Sequence, residues 1–253
     1  MDPSDGGSAL EEPVPGHAPH VFVAELDRPI LDPGDLHHLT RVLRTRVGDD
    51  LTISDGDGRW RACRLTAEAP EPTGPIREVR RSLPALTIAF ALVKGQKPEL
   101  VVQKLTELGL DVIVPFIADR SVVRWDPDRA AAHGARLRRV AREAAMQSRR
   151  CWLPQVAPLM SFDAVIALAG ASMAERGGEP PTLAMPTVVI GPEGGWSDEE
   201  RRAEVPIVGL GANVLRSETA ALAAGVAMTG LRAGLWIPPA VLSSRPGAAA
   251  RHL

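Results

Sequence analysis

The sequence predicts an α/β protein in two parts, a small β-barrel-like module followed by a larger domain built on a mostly parallel sheet. Before residue 83, short strand-like runs alternate with tight turns, and DGDG at residues 55–58 is the clearest hairpin signal. After Pro84, apolar strands alternate with helical segments, which is typical of a parallel sheet with helical crossovers. In residues 187–224, two strand–loop–helix transitions follow each other closely. This arrangement predicts a ligand-binding crevice beyond the carboxyl ends of the strands.

The elements of the first part are short. A strand is predicted over His20–Ala24, because apolar and polar residues alternate there. Asp35 is predicted to cap a helix over LHHLTRVLR, which places His37, Arg41 and Arg44 along one side. Further strands are predicted at residues 51–54, 60–65 and 77–83.

The elements of the second part follow from apolar runs, prolines and glycines. Pro98 suits the first turn of a helix and Gly109 suits its end. Ser197 and Glu200 have the spacing of a capping box, so a helix is predicted to begin there. Strands are predicted at residues 86–93, 112–117, 188–190 and 207–208, further helices at 128–148, 161–169 and 217–236, and a loop at 170–186.

Composition and length indicate a soluble globular protein, with 45% hydrophobic and 24% charged residues. No apolar run approaches the ~20 residues that span a bilayer, and no signal peptide is present, so we expect a cytoplasmic protein without a membrane segment. Cys63 and Cys151 fit no metal or redox spacing, so no metal site is predicted. The predicted segments are a disordered tail at 1–18, the first module at 19–83, the second domain at 84–237 and a flexible tail at 238–253.

Positive charge is concentrated in one segment although the formal net charge is only −2. Residues 120–150 contain nine arginines against three acidic residues. Such a segment can bind a phosphate backbone, or it can be the solvated face of a helix. The sequence leaves both readings open.

Two glycine-rich turns lie in the central stretch, GPEGG at residues 191–195 and GLG at 209–211. A dinucleotide fingerprint is not favoured, because Val214 stands where the third glycine belongs and no acidic residue follows at the ribose position. No Gly-Lys-Ser/Thr sequence indicates a nucleoside triphosphate either. Exposed backbone amides at such turns suit a flat heterocycle, and a tight structural turn is the alternative.

The segments GPEGGWSDEE and GLGANVLRSETA closely resemble the two knot loops of SPOUT-superfamily RNA methyltransferases. With KGQKPELVVQKLTELG, DRSVVRW and REAAMQSRRCWLPQV, they resemble the bacterial small-subunit ribosomal RNA uridine-N3 methyltransferases from about residue 20 to residue 236. The resemblance implies a PUA-like RNA-binding module followed by a trefoil-knotted methyltransferase domain. It also implies S-adenosylmethionine as cofactor, a homodimer, and small-subunit 16S ribosomal RNA, free or in the assembled 30S subunit, as partner.

The resemblance also implies the site residues. The cofactor-binding positions are Ile190, Gly191, Glu193, Gly195, Leu210, Gly211, Asn213, Leu215 and Arg216. Arg216 is the expected electrostatic catalyst, and Glu218 or Glu193 is the expected proton acceptor. An alternative role for Glu218 is to stabilise the start of the last helix through the helix dipole.

The expected RNA contacts are His37, Arg41, Arg44, Arg120, Arg124 and Arg150. Arg150 is expected to come from the partner subunit, and Trp125 and Trp196 are the candidates for stacking on bases. Two other functions are compatible with the motifs. One is a knotted methyltransferase acting on a ribose 2′-hydroxyl or a transfer RNA base, and the other is a non-catalytic RNA-binding ribosome assembly factor.

Overall fold

The computed structural model describes residues 18–236, apart from residues 94, 96 and 124 and the side chains of His38 and Val42. The tails predicted before residue 18 and after residue 237 lie outside the described residues. Two sheets are present, one on each side of the boundary predicted near residue 83.

The first sheet has five short strands, as the turn-rich N-terminal sequence predicts. The central hairpin is antiparallel, and Gly56 and Gly58 adopt the positive φ angles of 83° and 94° that its turn requires. The first strand pairs in parallel with the second, in the order β1-β2-β3-β4, and β5 pairs with β3. These strands are β1 (His20–Phe22), β2 (Asp50–Ser54), β3 (Arg59–Leu65), β4 (Pro70–Pro72) and β5 (Arg77–Glu78).

Helix α1 (Pro33–His37) continues into a wider π-helical turn at His38–Val42. The prediction that Asp35 caps this helix was wrong. Asp32 occupies the entrance instead, since its Oδ1 accepts a hydrogen bond of 2.8 Å from the Gly34 amide. Asp35 lies inside the helix and is buried, because it pairs with an arginine of the second domain.

The second sheet has seven strands, and all of its pairings are parallel, as predicted. The order is β12-β10-β11-β6-β7-β8, with β9 also paired to β7. The strands are β6 (Thr87–Ala91), β7 (Val112–Ile117), β8 (Gln155–Val156), β9 (Met160–Ser161), β10 (Ala171–Glu179), β11 (Thr187–Ile190) and β12 (Ile207–Val208).

Alternate residues of the central strands face two hydrophobic layers. Ile88 and Phe90 pack in the layer that contains helices α2 (Lys97–Leu108), α3 (Pro127–Gln147) and α5 (Ser217–Arg232). Ala89 and Ala91 face the opposite layer, which contains α4 (Phe162–Ile166) and Trp196. The sheet is therefore covered on both faces, as a parallel sheet requires.

The predicted end of α2 at Gly109 is confirmed. Gly109 has a φ of 95°, and its amide donates to the Thr106 carbonyl at 3.0 Å, while the Leu110 amide donates to the Leu105 carbonyl at 3.1 Å. These bonds form a Schellman motif. In contrast, α5 ends at Arg232, four residues before the predicted position 236.

The prediction of a loop over residues 170–186 was wrong, because β10 lies there between β11 and β12. Only its first residues, Ala171 to Met173, are buried, and the rest of the strand is polar and contains Gly177 and Gly178. Such a sequence has little intrinsic strand preference. Hydrogen bonds to β11 and β12 therefore set its conformation, and these long-range bonds cannot be predicted from the strand propensity of its residues.

The capping box at Ser197 is confirmed, but a long helix does not follow it. The Ser197 amide donates to Glu200 Oε2 at 2.7 Å, and the Glu200 amide donates to Ser197 Oγ at 3.1 Å. A single 3₁₀ turn at Glu200–Arg202 follows. The buried Glu200 carboxylate also accepts a bond from the Asp119 amide, so it ties this turn to the end of β7.

The N-terminal module is docked on α3 through a clamp formed by Arg142 and Asp35. The guanidinium donates two parallel hydrogen bonds to the carboxylate, at 2.8 and 2.6 Å, and a third to the Phe22 carbonyl at 3.1 Å. Arg142 therefore does not belong to a solvated arginine face. The pKa of its guanidinium is raised, chiefly by the bond to Asp35.

Candidate active site

The first glycine loop follows the carboxyl end of β11 and lies against the start of α5. Gly191 follows β11 directly, and its carbonyl accepts a hydrogen bond of 2.9 Å from the hydroxyl of Ser217. Ser217 is buried and is the first residue of α5. A Cβ at Gly191 would lie 3.0 Å from the indole of Trp196, so this close approach favours glycine.

The second glycine loop follows β12 and is held by the end of β10. The Gly209 amide donates to the Glu179 carbonyl at 2.8 Å, and a Cβ on Gly209 would lie 2.5 Å from the Gly178 carbonyl oxygen. Gly178 is constrained in turn, because its own Cβ would lie 2.6 Å from the Val208 carbonyl carbon. The two backbones thus meet at a glycine–glycine contact. Gly211, with a φ of 131°, completes the turn.

The apolar positions implied by the resemblance border these loops. Ile190 is buried at the end of β11, and Leu210 and Leu215 are half-buried in the second loop. Gly195 has a φ of 69°, and Asn213 is exposed. The chain therefore provides apolar side chains next to loop backbone, a combination that suits a heterocycle.

Lys97 brings the two candidate proton acceptors together. Its ammonium lies 2.9 Å from Glu193 Oε1 in the first glycine loop and 3.3 Å from Glu218 Oε1 in the first turn of α5. The pKa of Lys97 is raised, chiefly by its hydrogen bond to Glu193. We did not predict a role for Lys97 from the sequence. The available signal was its place among only three lysines, within the segment KGQKPELVVQKLTELG.

Charge at Glu193 is set by opposing effects. Partial burial raises the pKa of Glu193, but the hydrogen bond from Lys97, the loop backbone and the positive charges of Lys97 and Arg216 outweigh it, so the pKa is lowered. Arg216 is exposed and occupies the N-cap position of α5 without making a side-chain capping bond. Its positive charge is one of the causes that lower the pKa of Glu193.

Arg120 also lies against the first glycine loop. Its guanidinium donates to the Gly194 carbonyl at 3.3 Å, and a Cβ at Gly194 would lie 3.2 Å from the Arg120 Cβ. This contact adds a positive side chain to the group formed by Lys97 and Arg216.

The other candidate RNA contacts lie elsewhere. His37, Arg41 and Arg44 are exposed on α1 and the residues that follow it. Arg150 is largely enclosed within the protomer, where its guanidinium donates to the Thr106 carbonyl at 2.7 Å. Burial lowers the pKa of Arg150 to about 10, so it remains charged at neutral pH. Arg124 lies outside the described residues.

Trp196 is not available for stacking on a base, contrary to the prediction. It is only 3% exposed, stacks on Phe116 and donates its indole N–H to the Ala174 carbonyl at 3.1 Å. Its large apolar surface fills the layer beneath the first glycine loop. Trp125 is half-buried and stacks on His133 with ring centroids 4.1 Å apart.

Within the described ranges, no three His, Cys, Asp or Glu side chains are grouped so that they could hold a metal ion. No helix of the described part of the chain has the length and apolar character needed to cross a membrane.

Comparison with known proteins agrees with this geometry. The chain matches the RNA methyltransferase domain family over residues 81–229 and the RNA methyltransferase PUA domain family over residues 31–71. Ribosomal RNA small subunit methyltransferase E of Bacillus subtilis is 32% identical over 215 residues, which cover 74% of this chain and 84% of the relative.

Two solved structures are similar over most of their length. Ribosomal RNA small subunit methyltransferase E from Neisseria gonorrhoeae, bound to S-adenosyl methionine, superposes with a TM-score of 0.69 at 28% identity, covering 85% of this chain and 98% of that one. A putative methyltransferase from Legionella pneumophila, in complex with the bound cofactor SAM, gives a TM-score of 0.74 at 26% identity with the same coverage. The chain belongs to the RNA methyltransferase family that includes ribosomal RNA small subunit methyltransferase E.

Proposed function

We propose that this protein transfers a methyl group from S-adenosylmethionine to N3 of a specific uridine in small-subunit 16S ribosomal RNA. The observation that carries the proposal is that both glycine loops adjoin the start of α5, where Lys97 contacts both Glu193 and Glu218. The named function of the Bacillus subtilis relative and the cofactor bound by the Neisseria gonorrhoeae protein support the reaction class.

The chain's residues fit the cofactor in their chemistry. Loop amides and carbonyls can read the edge of an adenine, and the side chains of Ile190, Leu210 and Leu215 can pack against its faces. A side chain at Gly191 would crowd Trp196, and one at Gly209 would collide with the Gly178 backbone, so both loops need glycine at these positions. When bound, the cofactor supplies a methyl group activated by a sulfonium.

The chain must then prepare the uracil. A bond forms between N3 and the methyl carbon, the carbon–sulfur bond breaks with its electron pair going to sulfur, and the N3 proton leaves. Arg216 offers a fixed positive charge to the oxygen on which negative charge develops. Glu193 or Glu218 accepts the proton. A base is needed because the uracil N3–H is a weak acid that keeps its proton at neutral pH.

RNA binding is assigned to both modules. Residues 19–83 form the PUA-like module, with His37, Arg41 and Arg44 as contacts, and residues 84–237 form the knotted methyltransferase domain. Exposed arginines on α3 and Arg120 beside the loop add positive charge for phosphates. A homodimer is part of the proposal, with Arg124 as a contact to RNA. Arg150 is withdrawn as an RNA contact, because its guanidinium is enclosed within its own protomer and bonded to the Thr106 carbonyl. The target base must be unpaired or splayed out, in free RNA or in the 30S subunit. Because ribosomal RNA and 30S subunits are in the cytoplasm, the proposed reaction takes place there.

A deletion strain tests the target. Mass spectrometry of nucleosides from its small-subunit RNA is expected to show loss of 3-methyluridine, restored by the wild-type gene. Loss of a ribose methyl, or of a methylated transfer RNA base, would instead assign the protein to another target. Calorimetry with S-adenosylmethionine separates an enzyme from a non-catalytic assembly factor, because only an intact cofactor site gives saturable binding.

A further inference from the structure

Lys97 is shared by two carboxylates that come from different parts of the chain. Lys97 lies in the first turn of α2, Glu193 in the first glycine loop and Glu218 in the first turn of α5. The ion pairs therefore connect α2, the first glycine loop and α5. Lys104, farther along the same helix, pairs instead with its neighbour Glu107 at 2.8 Å.

Glu218 depends strongly on this contact. Its side chain is only 15% exposed, and within residues 18–236, as far as they are described, Lys97 is the cation that lies within ion-pair distance of it. Its Oε2 is enclosed and has no hydrogen-bond partner among the described residues. A buried carboxylate is costly unless a cation or a hydrogen-bond donor compensates it, so the contact with Lys97 is what holds this side chain.

We infer that Lys97 is a positioning residue for methyl transfer, which holds the side chains of Glu193 and Glu218 in place so that one of them can accept the N3 proton. The inference rests on the proposed function, which supplies the proton to be removed. Oε2 of Glu218 is enclosed without a hydrogen-bond donor among the described residues, so the contact of Oε1 with Lys97 is what fixes this carboxylate.

The inference gives a definite sign for the pH dependence. Lys97, on α2, contacts both Glu193 and Glu218. Arg216 is the other positive charge that acts on Glu193. Lys97 lowers the pKa of Glu193 against the opposing effect of burial. Without the ammonium, burial raises the pKa of the carboxyl, so the base becomes protonated at a higher pH. With Glu193 as the base, the acid limb of the activity profile therefore moves to higher pH.

Three variants test this role by steady-state kinetics. Lys97→Met removes the charge, Lys97→Arg restores a cation, and Lys104→Met is the matched control on the same helix. We expect Lys97→Met to lower kcat by about 10- to 100-fold, with a smaller change in KM for the cofactor, and to shift the acid limb to higher pH. Lys97→Arg should recover most of kcat and return the limb toward its wild-type position. Lys104→Met should behave as wild type.

An unchanged kcat and acid limb in Lys97→Met would overturn the inference. So would equal losses in Lys97→Met and Lys97→Arg with the wild-type pH profile, because that result indicates a structural role. A separate titration does not require activity: carbon-13 NMR of the glutamate carboxyls, assigned with Glu193→Gln and Glu218→Gln, should show a raised Glu193 pKa in Lys97→Met. If the wild-type protein methylates no uridine, the proposed function fails, while this titration still decides whether Lys97 controls the carboxylates.

Discussion

Arg216 lies at the junction of the second glycine loop and α5, and its positive charge helps to lower the pKa of Glu193. It is exposed, and among the described residues no acidic side chain lies within ion-pair distance of it. A guanidinium that is not committed to the fold is available to a substrate. This is the arrangement expected of a residue whose partner is the reacting base.

Replacing Arg216 with alanine should lower kcat by about 100-fold or more and leave the unfolding midpoint close to that of the wild type. Arg216→Lys should keep part of the activity, because it retains the charge but not the planar geometry. Arg202→Ala, at an exposed arginine on the 3₁₀ turn, is the control. Near-normal turnover by purified Arg216→Ala would remove this residue from the mechanism.

His20 is a buried neutral histidine in the first module. Its Nε2 lies 3.2 Å from the Arg150 carbonyl, and because a carbonyl can only accept, Nε2 carries the proton. Nδ1 lies 2.9 Å from the Thr52 hydroxyl and accepts a hydrogen bond from it. Burial is the main reason that the pKa of His20 is lowered to about 4. The bond to the Arg150 carbonyl raises this pKa in part, and the positive charge of Arg149 lowers it further.

The protein should therefore lose stability as pH falls below about 6.5, because the unfolded chain binds a proton that the native histidine does not. The free energy of unfolding should fall by about 3 kcal/mol by the time the pH reaches about 4. Above about pH 6.5, the pKa of a histidine in the unfolded chain, no such loss is expected. Urea unfolding across this pH range measures it. His20→Gln should flatten this component, and a wild-type slope in that variant would show that other groups are responsible.

At the scale of elements, the contact between Gly178 and Gly209 links β10 to the second glycine loop. Gly178→Ala should push the loop away, since the new methyl would lie 2.6 Å from the backbone of Val208. We expect cofactor affinity to fall by about tenfold and stability to fall by about 1–3 kcal/mol. Calorimetry and urea unfolding measure the two effects.

Gly134→Ala in α3 is the matched control, because the added methyl would meet only a flexible arginine end at 3.4 Å. It should raise stability by up to about 1 kcal/mol, since glycine is a poor helix former. If Gly178→Ala binds the cofactor as well as Gly134→Ala does, the glycine contact does not shape the site.

The clamp between Arg142 and Asp35 is the second element-scale feature. Arg142→Met should cost about 2 kcal/mol, because it leaves the buried carboxylate without its two guanidinium bonds. Arg138→Met, at an exposed arginine of the same helix, should be nearly neutral for unfolding. Equal unfolding midpoints for the two variants would show that the clamp does not stabilise the docked module.

Sequence patterns predicted the elements whose signals are local. The hairpin over Gly56 and Gly58, the end of α2 at Gly109 and the capping box at Ser197 depend on turn and cap chemistry between near neighbours, and the structure has all three. Long-range features were not accessible in this way. Strand β10 depends on its partners in the sheet, and the contacts of Lys97 join residues almost a hundred positions or more apart.

The same distinction explains the burial of Asp35 and Arg142. Both looked like surface residues, one as a helix cap and the other as part of an arginine face, because sequence shows charge but not its partner. The candidate site was predicted from motif resemblance, and its residues remain predictions until they are tested by variants.

On the scale of the whole molecule, the two modules share an extended set of contacts. The segment after α3 bonds to the first sheet, since the Gly58 amide and the Ser54 hydroxyl both donate to the Cys151 carbonyl, at 3.1 and 3.2 Å. The indole of Trp152 occupies the space beside Gly58 and donates to the Val79 carbonyl. The proposed RNA-binding module is thus fixed to the domain that carries the glycine loops.

The most direct test of the central claim is a methylation reaction with purified protein, S-adenosylmethionine carrying a labelled methyl group, and small-subunit RNA supplied either free or in 30S subunits. Nuclease digestion and mass spectrometry then identify the product. The proposed mechanism predicts labelled 3-methyluridine from one of these substrates and none with Arg216→Ala. A label on a ribose, or no transfer to either substrate despite saturable cofactor binding, would contradict it.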